Sequence, residues 1–352
     1  MPPRPAAHLA ARPSSLADVA RLAGVSTGTV SRVLSRPELI SPATRERVMA
    51  AVERLRYVAN GSARALARRR TGTVGALVPR FGSSSFPMLI QGLESVLAQA
   101  GYTLLLSAPE HGRGDMAMHL RALLERGVDA VALLGSRHPA AVLDLLAAHR
   151  VPHVQMWAPP TDDGRSVGFD EHEAAARVVD HLASLGHRKV AFIGGRTADN
   201  ERARRRQAGV MRALARHGME LDPKALVETD YGFAQGHAAA LELMQRRGAF
   251  TAIVCGNDYL AAGVLSALDG LGCAVPQRMS VASFNDNDFA AYLHPPLTTV
   301  RIPIREMGEA SARLLLGQLA GEPPTPLEPL PLQLFVRGST GPVRTAGRAP
   351  RR

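Results

Sequence analysis

Residues 16–36, LADVARLAGVSTGTVSRVLSR, constrain the fold more tightly than any other stretch of the chain. Apolar side chains recur at helical spacing in Leu16, Val19, Ala20 and Ala23, and again in Val30, Val33 and Leu34. Only Gly24-Val25 separates the two runs, which leaves space for a tight turn, and Gly24 can take a positive φ at no steric cost. Ser15 with Asp18, and Ser26 with Thr29, stand where N-caps and their third-position partners belong. Two short helices joined this steeply predict a helix-turn-helix, a motif that lays its second helix in a major groove. On that helix Ser26, Thr27, Gly28, Thr29, Ser31 and Arg32 are the candidate contacts with bases and phosphates, while Val30 and Val33 face inward. An ordinary pair of packed helices would show the same apolar spacing, so the following residues decide.

Ser41-Pro42 is a helix start with proline at the first helical position, and the pattern runs as a third helix to about Leu55. Tyr57-Val58-Ala59-Asn60 then leads into GSARAL at residues 61–66. With DVARLAGVSTGTVSRVL, SPATRERVMAAVERLRYVAN and the ARALA that follows, the chain resembles the lactose-repressor (LacI/GalR) family of transcriptional regulators, in particular its gluconate-repressor-like branch. The likeness is most specific in the first seventy residues and continues, more loosely, almost to the C-terminus. It implies that Asn60, Ala63 and Leu66 join the DNA contacts, with Leu66 wedging into the minor groove. Residues 62–68 make about two helical turns at most, and helices that short are marginal alone in water, so this hinge is expected to order only when two copies pack on DNA.

Charge agrees with that division. Residues 1–70 hold thirteen arginines against Asp18, Glu38, Glu46 and Glu53, a balance of +9 within the chain's +11. The tail from Gly338 adds four arginines and no acid, which leaves the middle at −2. A basic module on a nearly neutral body fits a polyanionic partner for that module alone. Two cysteines, Cys255 and Cys273, are too few for a disulfide framework and point to a reducing compartment. The Pro-, Ala- and Arg-rich start lacks the apolar run of a secretion signal, and no eighteen-residue apolar stretch spans a membrane, so a cytoplasmic protein is expected.

From Thr73 onward short apolar runs alternate with helical segments. Strands are expected at 74–78, 103–106, 130–134, 151–156, 190–193, 252–255 and 279–284, with helices at 86–100, 116–126, 173–185, 202–217, 234–246 and 259–271. Gly101, Gly127, Gly186, Gly218 and Gly272 follow helical runs as C-terminal caps do. Such alternation predicts parallel sheets covered on both faces, and its length favours two Rossmann-like lobes over one sheet. The resemblance implies the periplasmic-binding-protein architecture, with chain crossings near residues 170, 299 and 328 and a ligand between the lobes at the strand carboxyl ends.

No catalytic constellation is present. His172-Glu173 opens like a zinc-protease helix, but Ala176 occupies the second histidine position. Gly194-Gly195 follows a strand without a Walker lysine or a GxGxxG pattern, and Cys255 closes an apolar strand as a packed thiol. The chain is therefore expected to be no enzyme and to use neither metal nor cofactor. Ser83-Ser84-Ser85-Phe86 follows the first strand and could offer hydroxyls to a ligand or cap the next helix, with Ser84 and Phe86 taken as the candidate contacts. By resemblance Asp170, Arg206, Tyr231, Asn257 and Asn285 join them in an effector site, with Arg206 as a guanidinium fork and Tyr231 as a stacking ring. Arg202, Arg204 and Arg205 are read as solvated helix surface. Asn285 stands where relatives carry a carboxylate, and with Arg206 kept this points to an acidic effector such as gluconate; Glu171, an acid where asparagine is usual, pulls the other way.

The expected organisation is an arm (1–14), a helix-turn-helix headpiece (15–60), a hinge (61–72), a two-lobed effector-binding and dimerisation core (73–341) and a basic flexible tail (342–352). The expected function is a homodimeric regulator, a repressor, that binds a palindromic double-stranded operator under control of a sugar or sugar acid. A sugar-binding receptor or transport component is the alternative; the basic headpiece argues against it.

Overall fold

The computed structural model describes residues 12, 14–58, 70–78, 85–109, 116–198, 200–246 and 250–343. They divide into two compact units between Thr71 and Gly72. In the first unit α1 (Leu16–Ala23), α2 (Thr27–Ser35) and α3 (Pro42–Arg54) close around Val19, Val30 and Val48, all fully buried, with Ala20, Ala23, Val33 and Ala51. Each valine so buried contributes about 1.5–3 kcal/mol. A capping box starts α1: the Asp18 amide donates to Ser15 Oγ, and the Asp18 carboxylate accepts from Ser15 N at 3.0 Å and Oγ at 2.6 Å. Those bonds hold the Asp18 carboxyl below its usual range. Gly24 turns the chain at φ 64°, as its place between the apolar runs requires. Ser14 was expected in the arm, yet its hydroxyl donates to Leu55 O at 3.0 Å and so joins this unit.

The second unit holds two sheets. The first contains β1 (Thr73–Leu77), β2 (Thr103–Ser107), β3 (Ala130–Leu134), β4 (His153–Met156) and β5 (Ser166–Val167), in the order β2-β1-β3-β4-β5 and parallel throughout. Its helices are α4 (Phe86–Gln99), α5 (Met116–Glu125) and α6 (Ala140–Ala148). The second sheet contains β6 (Val190–Gly195), β7 (Leu226–Thr229), β8 (Ala252–Cys255), β9 (Ser280–Asn285), β10 (Thr298–Arg301) and β11 (Gln333–Phe335). Its order is β7-β6-β8-β9-β10-β11, with only β11 antiparallel. Its helices are α7 (Glu171–Ser184), α8 (Glu201–Arg216), α9 (Phe233–Gln245) and α10 (Asp258–Gly270). Strands β3, β6, β8 and β9 are buried at every residue, the mark of a sheet covered on both faces.

The chain crosses between lobes after β5, after β10 and before β11, close to the three places expected. The middle crossing delivers α11 (Ile304–Ala320) back to the first lobe, against α4. Gly92 and Gly308 permit that contact: a Cβ on either would lie 2.1 Å from a carbonyl oxygen of the facing helix. The five glycines expected to end helices all have φ between 63° and 88°. Four strands (β5, β7, β10, β11) and two helices (α6, α11) were not marked in the sequence. All four of those strands are short, and β10 reads TTVR, whose two threonines are fully buried only because their hydroxyls find partners. Val343, expected in a flexible tail, is held against the body, its N donating to Leu185 O at 3.0 Å.

Candidate functional site

On the first unit, the N-terminus of α2 presents Ser26, Thr27, Gly28, Ser31 and Arg32 to solvent, with Thr29 half-buried. Ser26 Oγ accepts from Thr29 N at 3.1 Å and pairs with Thr29 Oγ1 at 2.9 Å, so those two hydroxyls hold the helix start. Thr27, Ser31 and Arg32 remain free of that duty and point outward. Asn60, Ala63 and Leu66 lie outside the described residues.

In the second unit, polar ends of strands and helices from both lobes enclose a cavity of about 80 Å³. The first lobe supplies Ser85, Phe86 and Trp157; the second supplies Asn200, Arg202, Arg206, Tyr231, Asn257 and Asn285. Five residues expected there from the sequence, Phe86, Arg206, Tyr231, Asn257 and Asn285, thus share one cavity. Ser84 lies outside the described residues, and its neighbour Ser85 lines the wall. Asp170 does not reach the cavity. It is the exposed N-cap of α7, accepting from His172 N at 2.8 Å, and the next acid, Glu171, turns inward instead.

Glu171 changes the character of Arg206. Both side chains are 6% exposed, and Arg206 Nε and Nη2 each donate to the Glu171 carboxylate at 3.0 Å. Arg206 Nη1 donates to Gly256 O at 2.6 Å, and the guanidinium lies 4.8 Å from the Phe284 ring centroid. Trp157 Nε1 adds a third donor to Glu171 at 3.3 Å. The arginine expected to grip a ligand alone is therefore a neutralised, built-in pair. The reading of Arg202 as solvated surface is also corrected: it lines the cavity with its guanidinium 5.5 Å from the Phe86 ring centroid, because it lies one turn before Arg206 on the same face of α8. Arg204 and Arg205 turn elsewhere, to Thr197 O and to Ser136 and Glu201.

Two glycines make space for Tyr231. A Cβ on Gly195 would lie 2.6 Å from the phenol oxygen, and one on Gly256 would lie 3.3 Å from the ring. Gly194-Gly195, which carries no phosphate loop in sequence, thus has a packing role. Burial pushes the Tyr231 phenol pKa up, so the group stays neutral and can donate. Asn257 caps α10 through Leu260 N at 3.0 Å and is 4% exposed. Beside it, fully buried Asp258 accepts from Ser283 Oγ, Thr299 Oγ1, Asn287 N and Asn287 Nδ2. Burial pushes its carboxyl up to about 6 against those four donors. Burial also raises the Cys255 thiol well above its usual range, which fits a packed and unreactive thiol.

Hydrogen bonds tie the lobes together at the cavity. Ser85 Oγ donates to Asn287 Oδ1 at 3.0 Å and accepts from Asn285 Nδ2 at 2.9 Å. Farther out, the Glu201 carboxylate accepts from Ser136 Oγ at 2.6 Å and from Arg137 N at 3.0 Å. Trp157 (φ 56°) and Asn285 (φ 109°) sit in the left-handed region at the ends of β4 and β9, at a cost on the order of 1–3 kcal/mol each. Both face the cavity, where strain of this kind gathers. Ser85 belongs to the serine run expected to offer hydroxyls there; Trp157, Asn200 and Arg202 were missed in the sequence, and only Arg202 left a signal, its four-residue spacing from Arg206. Among the described residues no group of three or more His, Cys, Asp or Glu could hold a metal, and no helix is long and apolar enough to cross a membrane.

A three-helix headpiece joined to a two-lobed, parallel-sheet body with a polar cavity between the lobes defines a ligand-responsive DNA-binding regulator. The sequence model of bacterial regulatory proteins of the lacI family matches residues 15–60, and that of the periplasmic binding protein-like domain matches residues 179–340. The chain is 32% identical over 308 residues to the HTH-type transcriptional repressor PurR of Photobacterium profundum, covering 87% of this chain and 92% of the relative. The structure of the lac repressor dimer bound to operator and the anti-inducer ONPF superimposes with a TM-score of 0.84 at 27% identity, over 94% of this chain and all of that one. A transcriptional regulator CelR–cellobiose complex matches at 31% identity and a TM-score of 0.67, over 93% of this chain and 99% of that one. The chain belongs to the lacI family of bacterial regulatory proteins. It is a DNA-binding transcriptional repressor with an effector-binding body, and not an enzyme.

Proposed function

We propose that the chain acts in the cytoplasm as a homodimer on a palindromic operator, released or recruited by a sugar or sugar acid such as gluconate in the cavity between its lobes. The observation that carries this reading is the construction of the cavity: each lobe supplies part of its wall, and Ser85, Asn285 and Asn287 close it across the lobes. A ligand that fits only one lobe arrangement shifts the population toward it, which is the physical requirement for control. Thr27, Ser31 and Arg32 read the duplex with support from Ser26, Gly28, Thr29 and Asn60, and the hinge at 61–72, through Ala63 and Leu66, carries the lobe state to the headpieces.

Pairing of two copies is supported by apolar surface on both lobes. Phe233, Tyr259 and Phe289 form a ring cluster with centroids 5.0–5.6 Å apart, and Phe233 is 49% exposed. On the first lobe Leu106 and Met118 are exposed beside the free edge of β2. Clustered exposed apolar side chains mark association surfaces. The relative solved on its operator is itself a dimer. Selection of duplexes from a random pool by the full chain tests the reading. It is expected to enrich a motif with twofold symmetry; a single asymmetric half-site, or no enrichment, refutes it. In parallel, thermal melting of the full chain with neutral sugars and sugar acids is expected to show a concentration-dependent rise for at least one. A flat response across both sets refutes the effector class.

A further inference from the structure

Arg202 and Asn285 each lack a partner that the protein itself could have supplied. Arg202 stands in the first turn of α8 with its guanidinium against the Phe86 ring. Among the described residues it makes no hydrogen bond and no ion pair. The two carboxylates near it are committed elsewhere: Glu171 to Arg206 and Trp157, Glu201 to Ser136, Arg137 and Arg205. Arg202 is half-buried, and loss of solvent presses its pKa below the ordinary value although Glu171 and Glu201 lie near. Asn285 is 5% exposed; its amide nitrogen donates to Ser85 Oγ, and its oxygen is buried without a hydrogen bond. Buried polar atoms in native proteins nearly always have partners, so an orphan acceptor in a ligand cavity marks where a ligand donor belongs.

The cavity's charge follows directly. Arg206 and Glu171 cancel, which leaves Arg202 as the only uncompensated charge among its described lining residues. A volume of about 80 Å³ holds about three waters at the liquid's ~30 Å³ each, so a single small molecule is enough to fill the cavity. We propose that this molecule is a monoanionic hydroxy acid, its carboxylate on Arg202 and a hydroxyl donating to Asn285 Oδ1, and that Arg202, not Arg206, selects the acid over its neutral counterpart. The inference rests on the reading of the cavity as the effector site.

The test is calorimetric titration of the full chain with a matched pair, gluconate and the neutral alditol of the same carbon skeleton, and with shorter hydroxy acids of three to five carbons. At least one acid is expected to bind, with the alditol far weaker. Arg202→Gln is expected to lower acid affinity about 10- to 150-fold, the fold-change of a lost charged hydrogen bond of about 1.5–3 kcal/mol, and to erase the preference for the acid. Arg202→Lys, which keeps the charge, restores part of that preference. Melting by circular dichroism identifies any variant that has failed to fold. Equal binding of acid and alditol, no binding of any acid, or an unchanged preference in Arg202→Gln overturns the proposal. A Ser85→Trp variant, whose ring fills the cavity, separates the two levels of inference. If acids bind it as they bind the natural protein, the cavity is not the effector site; if it abolishes binding of a neutral sugar that Arg202→Gln leaves untouched, the site stands and the acid selectivity falls.

Discussion

Replacing Arg206 with methionine tests whether the Arg206–Glu171 pair is structural before it is anything else. The substitution keeps volume and removes three donor contacts: two to the Glu171 carboxylate at 3.0 Å and one to Gly256 O at 2.6 Å. Glu171 would then be a 6%-exposed carboxylate with only Trp157 Nε1 facing it. Removing one partner of a buried ion pair costs about 3–5 kcal/mol, mostly because the remaining charge is stranded. A stabilising change at the other partner should therefore rescue it. In Arg206→Met with Glu171→Gln no charge remains, and the pair should recover at least about half of the loss, a coupling on the order of 2 kcal/mol. Urea denaturation of the full chain, followed through the transition of the body, measures Arg206→Met, Glu171→Gln and the double variant. Losses that simply add, or an Arg206→Met loss below about 1 kcal/mol, would refute the reasoning. Loss of ligand binding in Arg206→Met alone would then say nothing of direct contact, since the cavity wall has moved.

Three further outcomes are expected. Asp258, raised to about 6 by burial, binds a proton more tightly folded than unfolded. Body stability should therefore fall as pH rises from about 4 through 6, and Asp258→Asn should flatten that part of the melting-temperature profile; equal slopes would remove the cause. With a headpiece balance of +9 and roughly 6–10 phosphate contacts, duplex affinity should drop about 10³–10⁵-fold between ~50 and ~200 mM salt, and a flat anisotropy response would contradict phosphate-led binding. Leu66→Ala should weaken binding to a selected operator steeply while scrambled duplex binding barely changes; equal losses on both would show that Leu66 is no minor-groove wedge.

The headpiece was legible almost residue by residue, since local signals decide it: Ser15 and Asp18 close a capping box, Gly24 turns, Pro42 starts α3. In the body, the strands visible in the sequence carry three or more apolar residues, β4 (HVQM) excepted, and the missed ones carry at most two. Thr298 and Thr299 in β10 are buried because Ser339, Thr340 and Asp258 meet their polar atoms, contacts made across forty residues of chain. The cavity was half visible for a related reason. Adjacent acids Asp170 and Glu171 look alike in sequence, and only the cap geometry of α7 sends the first outward and the second in. Trp157 reads as core at the end of an apolar strand, and nothing local reveals the left-handed turn that aims it at the cavity. Arg202 was concealed among three other arginines, although its spacing from Arg206 places both on one helical face.

The central claim is that filling the cavity changes how the headpieces hold specific DNA. The direct measurement is a paired titration of the full chain against its selected duplex and a scrambled one, at a single salt concentration, with and without the acid that binds tightest by calorimetry. The ligand should shift affinity for the selected duplex about 5- to 150-fold in one direction, a coupling of about 1–3 kcal/mol, and leave the scrambled duplex unchanged. By reciprocity the selected duplex should shift the acid's affinity by the same factor. An identical shift on both duplexes, or none on either while the acid demonstrably occupies the cavity, would contradict the account.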